Sequence, residues 1–196
     1  MAAHSVMEKD GSPEEWLADH GAGAPNAFER VVAHFEEPIH RYLTRCGIGS
    51  ADREDLAQEI FVRIHRHAHR YQPARPAAVW VFTIVANCAR SYFRHRAVRA
   101  RRPPATLIPL PSPPDAPPAQ SEGYETAGIL QKALEELTLV QREVVLLSAL
   151  QAMSIAAIAE TLGLPRGTVK THLHRSRLIL AKALARSDAR QRREQR

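Results

Sequence analysis

A run of prolines near the middle of the chain limits what this sequence can fold into. Eight prolines lie between positions 103 and 118. Each proline fixes φ near about −65° and removes a backbone N–H donor, so this stretch cannot continue a helix or join the interior of a sheet. We therefore predict a proline-rich flexible linker over residues 101–123 that divides the chain into two small domains.

Hydrophobic residues before the linker recur at the spacing of an α-helix. We expect a first helical domain over residues 26–100, with three helices that begin near Asn26, Asp52 and Ala78. Asn26 and Glu29 have the spacing of a capping box at the start of the first helix.

The sequence after the linker predicts a second helical domain over residues 124–186. The last three of its four helices begin near Thr138, Ser154 and Pro165, which are residue types that favour the first position of a helix or its cap. Residues 187–196 are interpreted as a frayed basic tail. No stretch of the chain alternates convincingly between apolar and polar residues as a strand does. The sequence therefore predicts an all-α protein of two small helical domains.

Charge is distributed unevenly along the chain. Residues 1–60 hold twelve acids and five bases, whereas residues 61–102 hold ten arginines and no acid. This contrast favours a polyanion bound at one surface and a different partner bound at another. Residues 1–25 show no helical periodicity and are interpreted as a flexible acidic lead. We expect this lead and the linker to mask DNA binding in the free chain.

Several classes of protein are disfavoured by what the sequence lacks. No apolar run approaches the length of about 18 residues that a membrane span needs, and the N-terminus lacks the apolar stretch of a signal peptide. The two cysteines, Cys46 and Cys88, do not form a disulfide framework. No phosphate-binding loop, nucleophile elbow or paired-carboxylate motif is found. We therefore expect a cytoplasmic protein that is not an enzyme and needs no cofactor or metal.

The last two predicted helices have the pattern of a helix-turn-helix. A short amphipathic helix is followed by Gly163 and by a longer helix with polar and basic residues on one face. Such residue types contact base edges and phosphates in the major groove. The alternative is an ordinary helical hairpin with a solvated basic face. The candidate DNA-binding residues are Arg166, Thr168, Lys170, Thr171, His174 and Arg175.

The third helix of the first domain has a second candidate nucleic-acid face. An indole, an amide, two hydroxyls and two guanidinium groups fall within one 100° sector of this helix. These groups suit the unstacked bases and phosphates of single-stranded DNA. The alternative is that Trp80 belongs to the core and that the arginines only solvate the surface. The candidate residues are Trp80, Thr83, Asn87, Arg90, Ser91 and Arg94.

The second helix of the first domain has an acidic face opposite its apolar stripe. Asp55, Gln58, Glu59 and Val62 lie on this face, with Val62 as an apolar residue at its centre. An acidic face is repelled by DNA, so we interpret this one as a docking surface for a protein. The alternative is a routine solvated face.

Taken in order, these segments resemble those of a known family. DLAQEIFVRIHRH followed by VWVFTIVANCARSYFRHR resembles region 2 of the bacterial sigma-70 family. QREVVLLSAL together with MSIAAIAETLGLPRGTVKTHLHRSR resembles its region 4. Since nothing like region 3 lies between them, the chain resembles a group IV, extracytoplasmic-function sigma factor.

This resemblance implies a dissociable specificity subunit of RNA polymerase. Asp55, Gln58, Glu59 and Phe61 match the motif that docks on the clamp helices of the polymerase, and Phe61 is expected to be the least exposed of the four. Matches at Trp80 and Asn87 imply reading and opening of the minus-10 element, and those in the last helix imply reading of the minus-35 element. The implied partners are the RNA polymerase core, through its clamp helices and flap, promoter DNA and an anti-sigma factor. The implied location is the cytoplasm, with nucleoid association in the holoenzyme and no membrane contact of the chain's own.

Two other functions remain open from the sequence. A LuxR-type helix-turn-helix regulator would explain the last domain but neither the acidic face nor the face around Asn87. A zinc- or thiol-dependent redox sensor would use His65 and His69, which share one helix face, together with Cys46 and Cys88.

Overall fold

The structure is a computed structural model that describes residues 11–101 and 122–194, and the side chains of residues 11–99 and 128–186. All regular secondary structure in the described part is helical, which confirms the all-α prediction. None of its helices is long and apolar enough to cross a membrane. Residues 102–121 of the predicted linker lie outside the described residues.

The N-terminal half holds four α-helices and one short 3-10 helix. Their bounds are α1 Pro13–Gly21, α2 Ala27–Cys46, α3 Ser50–His67, the 3-10 turn Ala68–Arg70, and α4 Ala77–Arg101. The apolar stripe of α3 is buried at Leu56, Ala57, Ile60 and Ile64. Helix α2 runs through Pro38 without interruption. The N-terminal domain is therefore a small helical bundle in which α4 is one wall.

The C-terminal half holds the four predicted helices, with bounds α5 Glu122–Glu135, α6 Leu139–Leu150, α7 Ile155–Leu162 and α8 Arg166–Glu194. The Thr138 hydroxyl accepts a hydrogen bond from the Gln141 N–H at 3.3 Å, and the Gln141 side chain accepts one from the Thr138 N–H at 3.0 Å. Ser154 caps α7 by accepting from the Ala157 N–H at 3.2 Å. Gly163 ends α7 in the left-handed region, with φ 66°. These local signals specify the helix-turn-helix.

Three of the sequence expectations differ from the structure. Residues 13–21, expected within a flexible lead, form helix α1, in which Trp16 and Leu17 are buried. Asn26 has a left-handed φ of 61° and its side chain makes no capping bond, so the expected capping box is absent there. The backbone of α8 is helical to Glu194, where a frayed tail was expected after residue 186.

Helix α1 is held by contacts that only the folded domain supplies. The Trp16 ring packs edge-on against His34 of α2, with ring centroids 5.8 Å apart. The Glu14 carboxylate accepts a hydrogen bond from the Ala77 N–H at 2.8 Å and so caps the first turn of α4. Helix α1 therefore fixes the start of α4.

The two halves pack against each other in this structure. Helix α2 contacts α5 and α6, and α4 contacts α7. The buried hydrophobic residues of both halves form one continuous cluster. The molecule therefore has two helical domains in a closed arrangement, with one wall of the N-terminal domain covered by the C-terminal domain.

Candidate functional site

The helix-turn-helix presents its candidate residues on the outer side of α8. Val169 and Ser176 are fully buried on the inner side, and the Ser176 hydroxyl donates to the His172 carbonyl at 2.7 Å. This anchoring turns the opposite face to solvent. The exposed side chains there are Arg166, Lys170, Thr171, His174 and Arg175, whereas Thr168 is half-buried.

One hydroxyl of this face is already engaged. The Thr171 Oγ1 donates to the Gly167 carbonyl at 3.0 Å, a bond within the helix that exposed threonines often form. The amino terminus of α8 adds backbone N–H groups that attract phosphate. In this structure the face as a whole is basic and exposed, and α8 packs against α5, α6 and α7.

The α4 face is more varied in its exposure. Asn87 and Arg94 are exposed, whereas Thr83, Arg90 and Ser91 are half-buried. Trp80 is only 9% exposed and packs edge-on against Tyr71, with ring centroids 5.5 Å apart. The indole is therefore a core group in this conformation, as in the alternative that the sequence left open, and it cannot stack on a base without moving.

Two arginines of the N-terminal domain bind acids of the C-terminal domain beside this face. The Arg90 Nε lies 3.0 Å from both carboxylate oxygens of Glu143, and Arg90 Nη1 donates to the Leu162 carbonyl at 3.4 Å. The Arg75 Nε lies 2.7 Å from Glu160 Oε1. Part of the α4 face is therefore covered by α6 and α7.

Glu143 is the site residue that sequence analysis missed. It is fully buried in α6, where burial raises the pKa of its carboxyl and the Arg90 guanidinium opposes that rise. The available signal was a single acid directly before the apolar run VVLL of α6. Its partner could not be inferred, because the two residues lie far apart in the sequence.

The acidic face of α3 is exposed as predicted. Asp55, Gln58, Glu59 and Val62 line a shallow surface depression of about 560 Å³, which is also lined by Arg63, Arg66 and His67. Val62 is 46% exposed. The Glu59 carboxylate pairs with Arg63 one turn later at 2.6 Å. Phe61 packs partly against the core and is less exposed than the three polar residues. A partner can therefore reach this face without any change in the N-terminal domain.

The thiols and histidines are placed poorly for redox or metal chemistry. Burial raises the pKa of the Cys46 thiol to about 12 and that of the Cys88 thiol to about 11, so both remain protonated near neutral pH. The His65 ring packs on His20 and Phe28, with centroids 4.6 Å and 4.9 Å away. Within the described residues, no three potential metal ligands come together.

Comparisons with known proteins match both domains. The model of the family "Sigma-70 region 2" matches residues 31–99, and that of "Sigma-70, region 4" matches residues 127–180. Helix α1 lies outside both matches. The two matched segments are the two domains that hold the faces described above.

Individual relatives agree with these matches over most of the chain. SigM of Mycobacterium tuberculosis, an ECF RNA polymerase sigma factor, is 30% identical over 173 residues, which are 88% of this chain and 85% of SigM. The RNA polymerase sigma factor CarQ of Myxococcus xanthus is 32% identical, over 78% of this chain and 86% of CarQ. The structure of CnrH in complex with the cytosolic domain of CnrY is similar with a TM-score of 0.67 and 26% identity, over 88% of this chain and 97% of that one. The chain therefore belongs to the extracytoplasmic-function group of the sigma-70 family.

Proposed function

We propose that this chain directs RNA polymerase to specific promoters in three linked steps. The exposed acidic face of α3 docks on the clamp helices of the core polymerase. The basic face of α8 reads minus-35 duplex in the major groove, and the α4 face binds the opened minus-10 strand. The observation that supports this most strongly is the pairing, in one chain, of an exposed acidic docking face with a separate basic helix-turn-helix.

Each step has a physical basis in the described side chains. Arg175 and Lys170 are exposed on α8, and a good bidentate contact to a base edge discriminates by about 1–3 kcal/mol. Opening the duplex costs a few kcal/mol per flipped base, and contacts to the released base and its phosphates offset that cost. Asn87 and Arg94 are the α4 residues that are open to such contacts in this structure. Trp80 joins them only if its indole leaves Tyr71.

The polymerase supplies the chemistry in this scheme. We propose no catalytic residue, cofactor or metal for the chain itself. Its place of action is the cytoplasm, at the nucleoid when it is bound in the holoenzyme. A LuxR-type regulator would have no use for a sigma region 2 domain, which spans residues 31–99 here.

Run-off transcription tests the proposal directly. Purified core polymerase is incubated with and without the chain on a library of genomic fragments, and new transcription starts are mapped. Asp55→Ala/Glu59→Ala should abolish the specific starts while the full-length variant still binds the same DNA. The matched control is Glu29→Ala/Glu36→Ala, which removes two exposed acids from α2 and should keep the starts. Tight DNA binding without any polymerase-dependent start would instead identify an operator-binding regulator.

We also propose that a separate anti-sigma protein controls the chain by covering one or both domains. The similar structure of CnrH was solved with the cytosolic domain of CnrY bound to it. Native mass spectrometry of the chain isolated from its own host tests this proposal. A one-to-one complex that blocks run-off transcription when added back would support it, and a chain isolated only alone or with polymerase under all growth conditions would contradict it.

A further inference from the structure

The contact between the two domains places an acid on an arginine of the proposed minus-10 face. Arg90 is half-buried, with 26% of its side chain exposed, and Glu143 on α6 is fully buried against it. Both carboxylate oxygens lie 3.0 Å from the same guanidinium nitrogen. A guanidinium binds carboxylate and phosphate with the same donor geometry. In the closed structure Arg90 therefore commits its Nε to Glu143 and its Nη1 to the Leu162 carbonyl, and these donors are not open to a DNA phosphate.

Further polar contacts surround this pair. Arg142 of α6 donates to the Cys46 carbonyl at the end of α2, at 2.5 Å. Arg75 pairs with Glu160 of α7 and also donates to Thr83 Oγ1 at 3.2 Å, so a second residue of the α4 face is engaged. Charged and partly exposed groups therefore lie beside the apolar residues that the two domains bury against each other, as at the interfaces where domains of one chain dock.

We propose that the C-terminal domain is an intramolecular cap on α4, in which Glu143 occupies on Arg90 the place of a DNA phosphate. This inference rests on the proposed role of the α4 face. The free chain is closed and cannot bind single-stranded DNA through α4. Separation of the two domains breaks the Arg90–Glu143 pair and frees the face. The cap is made of folded residues of the C-terminal domain, in contrast to the masking by an acidic lead and linker that the sequence suggested.

Two cysteines of the chain can report separation of the domains. Cys46 lies at the interface, where Arg142 binds its carbonyl and Glu143 contributes to the raised pKa of its thiol. Cys88 lies on the other side of α4, where Arg63 and Glu59 of α3 influence its pKa. Separation of the domains exposes Cys46 alone, whereas global unfolding exposes both thiols. The rate of alkylation at each cysteine, followed by peptide mass spectrometry, therefore distinguishes the two events.

The test uses charge reversal on the full-length chain. Arg90→Glu and Glu143→Arg each place like charges together and should raise the alkylation rate of Cys46 at least about tenfold, because breaking a buried pair is strongly destabilising. Cys88 should change less than about twofold. The two reversals alter the local charge at Cys46 in opposite directions, so a common increase reports exposure and not thiol acidity. The double variant Arg90→Glu/Glu143→Arg should restore slow alkylation.

The matched control is Glu135→Arg, which makes the same charge change at an exposed position on α5. It should leave the alkylation of both thiols slow. The proposed cap is wrong if Cys46 is alkylated slowly in the folded single variants. It is also wrong if the double variant does not restore slow alkylation of Cys46. A single variant in which both cysteines are alkylated rapidly has unfolded. The test then depends on whether the double variant restores slow alkylation of both.

A binding measurement tests whether closure covers the DNA-binding face. Fluorescein-labelled oligodeoxythymidine of 20 nucleotides is titrated with each variant at one salt concentration. Because apparent affinity scales with the competent fraction, Glu143→Arg should bind at least about tenfold more tightly than Glu135→Arg. Equal affinities alongside an exposed Cys46 would show that opening does not uncover a DNA site. Neither measurement uses polymerase or a promoter, so a failure of the proposed function in transcription would be seen separately.

Discussion

Glu143 is a buried carboxylate whose protonation is linked to the closed fold. It faces Arg90 of α4. Burial raises the pKa of Tyr42 and Cys46 of α2, and the charge of Glu143 adds to that rise. Since burial outweighs Arg90, the pKa of Glu143 is raised above its ordinary value of 4.5 in the folded chain. The folded state therefore binds a proton at Glu143 more tightly than the unfolded state does.

A pH dependence of stability follows from this linkage. The stabilising contribution of a protonated Glu143 is fully present below pH 4.5 and is lost as pH rises through the raised value. We expect the free energy of unfolding of the wild type, relative to Glu143→Gln, to fall with rising pH across that window and then to level off. Urea denaturation at a series of pH values measures the difference, and a difference that grows with pH would contradict the assignment.

Helix α1 has a start signal that the sequence analysis overlooked, because Ser12 and Glu15 form a capping box and Pro13 stands at the first helical position. It has nine residues, of which Trp16 and Leu17 are its buried apolar side chains. Such a short helix is marginal alone and forms because the bundle buries these two residues. The capping box therefore marks where the helix starts, whereas the burial of Trp16 and Leu17, which stabilises it, depends on contacts that the sequence does not show.

Leu17→Ala should lower the free energy of unfolding by about 2–5 kcal/mol, as for other fully buried leucines. Asp19→Ala, on the exposed side of the same helix, should change it by less than about 0.5 kcal/mol. Thermal or urea unfolding of both variants measures the effect. Equal and small changes would mean that α1 is not packed on the domain in solution.

The helix-turn-helix was the element best predicted from sequence. Ser154 and Gly163 act through neighbouring backbone groups, so residue type and spacing were sufficient to place them, as they were for Thr138 at the start of α6. Trp80 could not be assigned in the same way, because whether its indole is buried or exposed depends on packing against Tyr71, which lies outside the helix. Asn26 failed as a cap because its left-handed φ of 61° is not the extended conformation in which a side chain caps a helix.

Arg175 gives a direct test of the α8 face. Arg175→Ala should weaken binding to a minus-35 duplex, chosen from promoters mapped by run-off transcription, by about 5- to 150-fold, which corresponds to the loss of about 1–3 kcal/mol. Lys182→Ala removes one positive charge from an exposed position farther along the same helix and is the matched control. Fluorescence anisotropy at constant salt compares the two. Equal losses would indicate only non-specific attraction to phosphate.

At the scale of the whole molecule, one hydrophobic cluster joins both domains. The residues that connect them are distant in sequence, with separations of 53 between Arg90 and Glu143 and 96 between Cys46 and Arg142. Local patterns hold no information on such pairs, so the sequence predicted the two domains but not their closed arrangement.

Closure predicts a single cooperative unfolding transition for the wild-type chain. Both tryptophans, Trp16 and Trp80, lie in the N-terminal domain, whereas far-ultraviolet circular dichroism reports helices of both domains. The two signals should change at the same urea concentration in the wild type and at different concentrations in Glu143→Arg. Separate transitions in the wild type would show that the domains are energetically independent.

The contact of α6 and α7 with α4 also has a consequence for dosage. A cap that belongs to the same chain is present in one copy per molecule at a fixed effective concentration, whatever the level of expression. Overproduction cannot exhaust it, so the number of open chains grows in proportion to the number made. A separate inhibitor is instead used up as more of the chain is made, so active chain accumulates only above a threshold level of synthesis. In a cell with both, closure would set the activity per molecule, and the inhibitor would set the level of synthesis at which a response begins.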